Sequence, residues 1–226
     1  MPIDAYVEVG TKRAFAGAID WPGWSRSGRT ADAAIEALVA YGARYADVLR
    51  PARVRFSAPK SPDALAIVER LTGDATTDFG APSVAPAADG RAIDRRWLTR
   101  QLRILEACWQ AFDRAVDGAE GVALRAGPRG GGRALGAIAG HVVGAEAGYA
   151  RMIDATPPPV DGPEAAAARD EVRAVVRDAL DRAVTEGIPA EGPRGGKRWS
   201  APYFVRRAAW HVLDHAWEID DRSTPL

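Results

Sequence analysis

The stretch that decides the fold is IDRRWLTRQLRILEACWQAFDRAVD, residues 93–117, because it predicts a long amphipathic helix. Apolar side chains recur in it every three or four residues, and charged residues occupy the opposite side. The apolar stripe consists of Trp97, Leu98, Leu102, Leu105, Cys108, Trp109 and Phe112. Other elements have to cover so broad a stripe, so we expect this helix to be one member of a bundle.

Three further helical segments follow along the chain. They cover residues 133–154, 163–186 and 201–221, and the connections between them are of moderate length. Successive helices joined in this way commonly pack side by side and alternate in direction. We therefore predict an all-α four-helix bundle with up-down-up-down topology over residues 91–226.

A small α+β domain is predicted over residues 1–72, ahead of the bundle. Alternating apolar and polar residues indicate its strands, and Thr30 is a suitable cap for its first helix. The predicted elements are strands at residues 3–9, 13–19 and 53–58 and helices at residues 30–49 and 61–71. Residues 73–90 are rich in Gly, Pro, Ala, Thr and Asp without periodicity, which predicts a linker between the two domains.

The composition argues against several classes of partner. The 30 basic and 30 acidic residues balance, so no overall charge attracts nucleic acid or an anionic membrane. The first residues lack the pattern of a signal peptide, and no apolar run is long enough for a membrane span. Cys108 is the single cysteine, and its apolar neighbours indicate an inert core thiol. We expect a cytoplasmic protein that binds neither nucleic acid nor a membrane.

The chain has three histidines, His141, His211 and His215, and all lie on two of the predicted bundle helices. His211 and His215 are four residues apart, so both project from one side of a helix. In the predicted topology the second and fourth helices run parallel, which places His141 at a similar depth. Three nitrogen donors suit a metal site whose fourth position is free for water or substrate. The alternative is that these are buried structural histidines, hydrogen-bonded to Asp214 or Glu218.

This donor set also limits the metal and its chemistry. Imidazole binds borderline cations, and the affinity order among divalent metals does not choose between them. Zinc is the first expectation, with nickel and iron as alternatives. A metal with a free position activates water for hydrolysis or holds a thiolate ready for attack. Glu218 and Arg207 lie one turn from the histidine pair, where they either orient an imidazole or form salt bridges.

Two nearly identical loops, GPRGGGR at 127–133 and GPRGGKR at 192–198, each precede a histidine-bearing helix. With parallel helices, both loops lie at one end of the bundle and form a basic rim above the histidines. Such a rim suits a small anionic substrate. Its residues are Arg129, Arg133, Arg194, Lys197 and Arg198. The alternative is that the loops are solvated helix connections.

The segments LGAIAGHVVGAEAGYARMI and VRRAAWHVLDHAWEIDDR resemble the DinB/YfiT-like family of metal-binding four-helix bundles. The family is related to the metal-binding domain of mycothiol-dependent maleylpyruvate isomerase, and the resemblance covers about residues 91–222. It implies that His141, His211 and His215 are the metal ligands. It further implies a metal-dependent enzyme, a transferase or isomerase that uses a low-molecular-weight thiol such as mycothiol, with a hydrolase as the alternative chemistry.

The N-terminal segment AFAGAIDWPGWSRSGRTADAAIEALVAY is similar to HicB-like domains. The resemblance implies an α+β fold there, and we do not extend it to a toxin–antitoxin role. A second hypothesis follows from it, of a different class from an enzyme. The chain would then be a binding or regulatory protein, in which the HicB-like unit mediates association, for example as a homodimer, and the bundle metal is structural.

Overall fold

The chain begins with a four-stranded sheet in the order β3-β2-β1-β4. β1 pairs antiparallel with β2 and parallel with β4, and β2 pairs antiparallel with β3. The structure, a computed structural model, describes residues 2–126, 132–160 and 162–223. The strands are β1 Ile3–Val9, β2 Ala14–Ala18, β3 Ser25–Gly28 and β4 Leu65–Thr72, and the helices of this region are α1 Ala31–Ala40, α2 Gly42–Leu49 and α3 Ala75–Phe79.

Two elements of this region differ from the prediction. Residues 53–58 form no strand, and the third strand is the polar segment β3, in which the Ser25 hydroxyl donates to the Ala16 carbonyl. The helix predicted at 61–71 is instead a short 3-10 turn, Pro62–Ala64, followed by β4. Side chains in the second half of β4 alternate between half-buried and exposed, as expected of an edge strand. A short apolar run of this kind is compatible with either element until its neighbours are known.

Four helices follow the sheet: α4 Arg95–Gly118, α5 Leu135–Arg151, α6 Arg169–Thr185 and α7 Ala201–Ser223. α4 packs against α6 and α7, and α5 packs against the same two helices. Asp94 caps α4 by accepting a hydrogen bond from the Trp97 backbone N–H. The predicted fold class, a small α+β unit followed by a helical bundle, is confirmed.

The directions of the helices correct the predicted up-down-up-down order. α4 and α7 run parallel, because Ala115 and Asp220 near their ends line one cavity, whereas Ile93 just before α4 and Ala201 at the start of α7 line another. α5 runs against α7, because the Trp199 N–H just before α7 donates to the Met152 carbonyl just after α5, at 2.8 Å.

α6 also runs against α4. Arg173, near the start of α6, pairs with Asp113 near the end of α4, at 2.7 Å, and Arg177 pairs with Glu106 one to two turns further along, at 2.9 Å. The bundle is therefore up-down-down-up, with α5 and α6 parallel.

The connection between α5 and α6 explains this topology. A 17-residue helix such as α5 is about 25 Å long, and the chain of residues 152–168 is long enough to return over that distance. The connection includes a 3-10 helix, Gly162–Ala168, that packs against α5. Because the chain runs back along the bundle before α6 begins, the consecutive helices α5 and α6 do not alternate in direction.

The sheet region and the bundle are in direct contact. The rings of Phe15 in β2 and Trp210 in α7 meet edge to face, with centroids 5.9 Å apart. One continuous cluster of buried apolar side chains includes Val7 of the sheet and Leu105 and Phe204 of the bundle. The division at residues 73–90 stays a prediction. None of the described helices has the length and apolar character needed to cross a bilayer.

Candidate metal centre

α5 and α7 bring the three histidines together near the middle of the bundle. The Nε2 atoms of His141 and His211 are 3.2 Å apart, and one ring nitrogen from each of the three residues lies within 4.8 Å of the others. His141 is about 9 Å from the start of α5 and His215 about 12 Å from the end of α7. The histidines are therefore level although the helices are antiparallel, and the predicted cluster is confirmed.

Burial and charge favour the neutral form of two of these imidazoles. Burial lowers the pKa of His211 well below its ordinary value, and the neighbouring His215 and His141 lower it further. Burial, His215 and Arg133 likewise lower the pKa of His141, which is half-buried. A neutral imidazole has one nitrogen lone pair available, which is the state that binds a metal.

His215 is held by a carboxylate on its own helix. Its Nδ1 lies 2.8 Å from Oε2 of Glu218, whose other oxygen lies 2.8 Å from Nη1 of Arg222. The hydrogen bond to His215 is the main cause of a lowered pKa for Glu218, and Arg222 adds to it. Because Nδ1 is engaged by Glu218, Nε2 is the nitrogen of His215 that remains for a metal.

The donor set fits a metal of the zinc type. Two nitrogens bonded at about 2.1 Å to a tetrahedral zinc lie about 3.4 Å apart. The Nε2 atoms of His141 and His211, separated by 3.2 Å, match this spacing. The third nitrogen, from His215, lies within 4.8 Å of the other two.

The surroundings of His211 argue against a purely structural role for this histidine. Its Nδ1 is buried without a hydrogen-bond partner among the described residues. Asp214, one of the partners considered for it, instead pairs with Arg26 at 3.0 Å. Glu218, the other, is bonded to His215. The protein therefore does not hold the His211 ring by a hydrogen bond at Nδ1.

Arg207 does not hydrogen-bond a histidine. It donates to the Pro82 carbonyl, and its guanidinium lies over the rings of Tyr149 and Trp210, 5.6 and 5.0 Å from their centroids. Its effect on the cluster is electrostatic, because its charge contributes to the lowered pKa of His211.

The residues predicted to form a basic rim are not brought together. Arg133 is exposed just before α5, whereas Arg194 and Lys197 are exposed before α7, at the opposite end of the bundle. Arg198 lies at that same end and forms an ion pair with Asp154. Arg129 lies outside the described residues. The two loops lie at opposite ends of the bundle because α5 and α7 are antiparallel. The predicted topology had these two helices parallel.

Aromatic side chains beside the cluster were missed in the sequence. The Tyr149 ring is 5.7 Å from that of His211, and Trp199 contacts Tyr149 at 5.2 Å and Tyr203 at 4.9 Å between centroids. The signal for Tyr149 was its position eight residues after His141, close to the same side of α5.

The same side of α5 has two glycines with free space above them. A Cβ atom added at Gly144 or Gly148 meets no described atom within 4 Å. Gly144 is three residues and Gly148 seven residues after His141, so both lie on its side of the helix. Among the described residues, the side of α5 next to the histidine cluster is therefore open at these two positions.

This helical bundle, in which two antiparallel helices present three facing imidazoles, has a donor cluster that could hold a metal ion. The chain belongs to the DinB superfamily, which matches residues 104–219 and so includes all three histidines. No family match covers the sheet region. Comparison with curated proteins and with solved structures finds no match to the chain.

Proposed function

We propose that the chain is a metal-dependent transferase or isomerase that uses a low-molecular-weight thiol of the mycothiol type. The observation that carries the proposal is the pair of Nε2 atoms 3.2 Å apart, in a cluster of three histidines beside an open helix surface. These three residues would hold a divalent metal, with zinc as our first choice over nickel or iron, and the metal would supply the positive charge that lowers the pKa of a bound thiol or water.

The chain's own residues have separate tasks in this proposal. His141, His211 and His215 bind the metal through neutral imidazoles, and Glu218 orients the His215 ring through Nδ1. The open surface at Gly144 leaves room for the thiol and a small substrate. Tyr149 and Trp199 form an apolar wall that excludes water from one side. Arg133 supplies positive charge near the cluster, which favours an anionic substrate.

The state of Glu218 favours a thiol over activated water. Hydrolysis by a zinc-type site commonly needs a carboxylate or imidazole that accepts a proton from water. Glu218 is the described carboxylate in contact with the cluster, and both of its oxygens are engaged, by His215 and Arg222. The carboxylate therefore has no oxygen left uncommitted to accept a proton from water. A thiol is more acidic than water, so its proton would pass to solvent without such a base.

The sheet region has a supporting role in our proposal. We assign it a HicB-like fold without a toxin–antitoxin function. Phe15 of β2 packs on Trp210 of α7, directly before His211 in the chain. The sheet thereby fixes the helix that supplies two of the three ligands.

Spectroscopy of the cobalt(II)-substituted protein tests the proposal. We expect the purified protein to take up about one cobalt ion per chain, and mycothiol to add a sulfur-to-cobalt charge-transfer band in the near ultraviolet. His211→Ala is expected to lose both signals, whereas Asp214→Asn, on the same helix but paired with Arg26, keeps them. A protein that binds cobalt but shows no change with mycothiol, glutathione or cysteine would contradict the thiol assignment, and a protein that binds no metal would contradict the whole proposal.

A further inference from the structure

A continuous series of side-chain contacts extends from the metal centre along α7. It starts at Nδ1 of His215, passes through both oxygens of Glu218, and ends at Nη1 of Arg222, with 2.8 Å for each contact. The three residues follow the i, i+3 and i+7 spacing of one helix side. Arg222 is only 8 % exposed, although it lies in the last turn of the helix.

Arg222 also reaches the connection between α4 and α5. Its Nε donates to the Arg125 carbonyl at 2.7 Å, and the Arg125 backbone N–H donates to the Arg222 carbonyl at 3.0 Å. The guanidinium is thus bonded on one side to a residue of the metal centre and on another side to a different part of the backbone.

Gly132 covers the guanidinium from a third side. Its φ of +142° lies in the range that favours glycine, and a Cβ atom there would be 2.6 Å from Nη2 of Arg222 and 2.8 Å from Cζ. Moving the guanidinium away from such a Cβ would strain the contacts with Glu218 and Arg125. Because Gly132 has no Cβ atom, the guanidinium of Arg222 can lie where it does.

We propose that Arg222 is a positioning residue of the metal centre, and that it couples the α4–α5 connection to the ligand His215 through Glu218. The proposal rests on the metal site assigned above. Arg222 fixes the Glu218 carboxylate, and the carboxylate holds the proton of His215 on Nδ1 and sets the orientation of the ring. Groups that orient a ligand in this way commonly change metal affinity by about 10- to 100-fold when they are removed.

A purely structural role for Arg222 makes a different prediction. If Arg222 only connects the end of α7 to Arg125, its loss would lower the stability of the fold but leave metal affinity unchanged. If the proposal is correct, a change at Gly132 that displaces the guanidinium must also weaken metal binding, because it disturbs the contact of Arg222 with Glu218.

The test is the zinc affinity of the full chain, measured by competition with a chelator. We expect Arg222→Gln and Glu218→Gln each to weaken binding about tenfold, and the double variant to be no weaker than the more affected single variant, because both act on the same contact. Arg222→Lys keeps the charge but not both hydrogen bonds, and should give an intermediate affinity.

Two glycine variants separate coupling from loss of stability. Gly132→Ala should weaken zinc binding, whereas Gly121→Ala, which also has a positive φ but meets no described atom within 4 Å, should not. The glycine pair decides the question if Arg222→Gln does not fold. Unchanged affinity in Arg222→Gln and Gly132→Ala, with zinc bound by the wild type, overturns the inference alone. A wild type that binds no zinc, cobalt, nickel or iron overturns the proposed function and the inference together.

Discussion

Asp89 and Arg206 form an ion pair that is almost completely buried, with 1 % and 6 % of the two residues exposed. Nε of Arg206 donates to Oδ2 of Asp89 at 3.0 Å, while Nη1 and Nη2 donate to the carbonyls of Ala18 and Ile19. The pair therefore joins the segment before α4, the end of β2 and α7, the helix that carries His211 and His215.

Removing one partner of this pair should destabilise the fold strongly. We expect Asp89→Ala to lower the free energy of unfolding by roughly 3–5 kcal/mol, because it leaves a buried guanidinium without its counter-ion. The measurement is urea unfolding followed by circular dichroism. Asp181→Ala is the control, because its pair with Arg95 is more than half exposed and should change stability by about 1 kcal/mol or less. Equal losses of unfolding free energy in the two variants would show that the buried pair stabilises the fold no more than the exposed pair does.

The three-histidine cluster predicts metal binding with a defined stoichiometry. Protein purified without chelators should contain about one transition-metal ion per chain, and His211→Ala should contain almost none, since two imidazoles are a weak site. Elemental analysis by mass spectrometry measures both. Asp214→Ala changes the same helix without removing a ligand and should retain the metal. Metal content that is unaffected by His211→Ala would mean that the ion binds elsewhere.

Glu146 predicts a pH-dependent stability. It is buried in α5, with Oε1 bonded to the Trp109 indole N–H and Oε2 without a partner among the described residues. Burial raises its pKa from 4.5 to about 7. The folded pKa is raised, so the contribution of this carboxyl to stability is complete below about pH 4.5 and decreases as the pH rises to about 7.

Glu146→Gln removes this titration. Relative to the wild type, the variant should become more stable as the pH rises from about 4.5 to 7, and the gain should reach up to roughly 3 kcal/mol at pH 8. Chemical unfolding of both proteins across that pH range measures the difference. A difference that is constant with pH would mean that Glu146 is ionised throughout.

The open surface at Gly144 predicts that binding of the thiol can be blocked without loss of the metal. Gly144→Leu fills the space beside His141, and a helix interior accepts leucine readily. Cobalt uptake should be unchanged, while the mycothiol-induced charge-transfer band should need at least about tenfold more thiol. Gly118→Leu, at a position with equally free space at the end of α4, is the control. An unaltered thiol titration would place the substrate on another side of the cluster.

The helices and the histidine cluster could be predicted because both depend on local periodicity. The stripe in α4 and the four-residue spacing of His211 and His215 are properties of a single helix, and they hold whatever surrounds it. Helix direction depends instead on the course of the connections. Residues 152–168 return along the bundle, and no local pattern in them distinguishes this course from a direct turn.

The residues missed in the sequence act over long separations. Arg222 contacts Arg125, 97 residues earlier, and the Asp89–Arg206 pair spans 117 residues. In the sequence alone, nothing distinguishes these residues from the other charged residues of the chain. β4 was predicted to be a helix for a related reason, since its pairing with β1 is 62 residues distant at Ile3 and Leu65.

The order of assembly follows from the position of α7. This helix carries His211, His215 and Arg206, and it comes after every other described element of the chain. The sheet, the segment at Asp89 and His141 on α5 all receive their partners from it. A chain still emerging from the ribosome therefore presents one imidazole and an uncovered α4 until α7 is made, so the three-histidine cluster is complete only when the bundle closes.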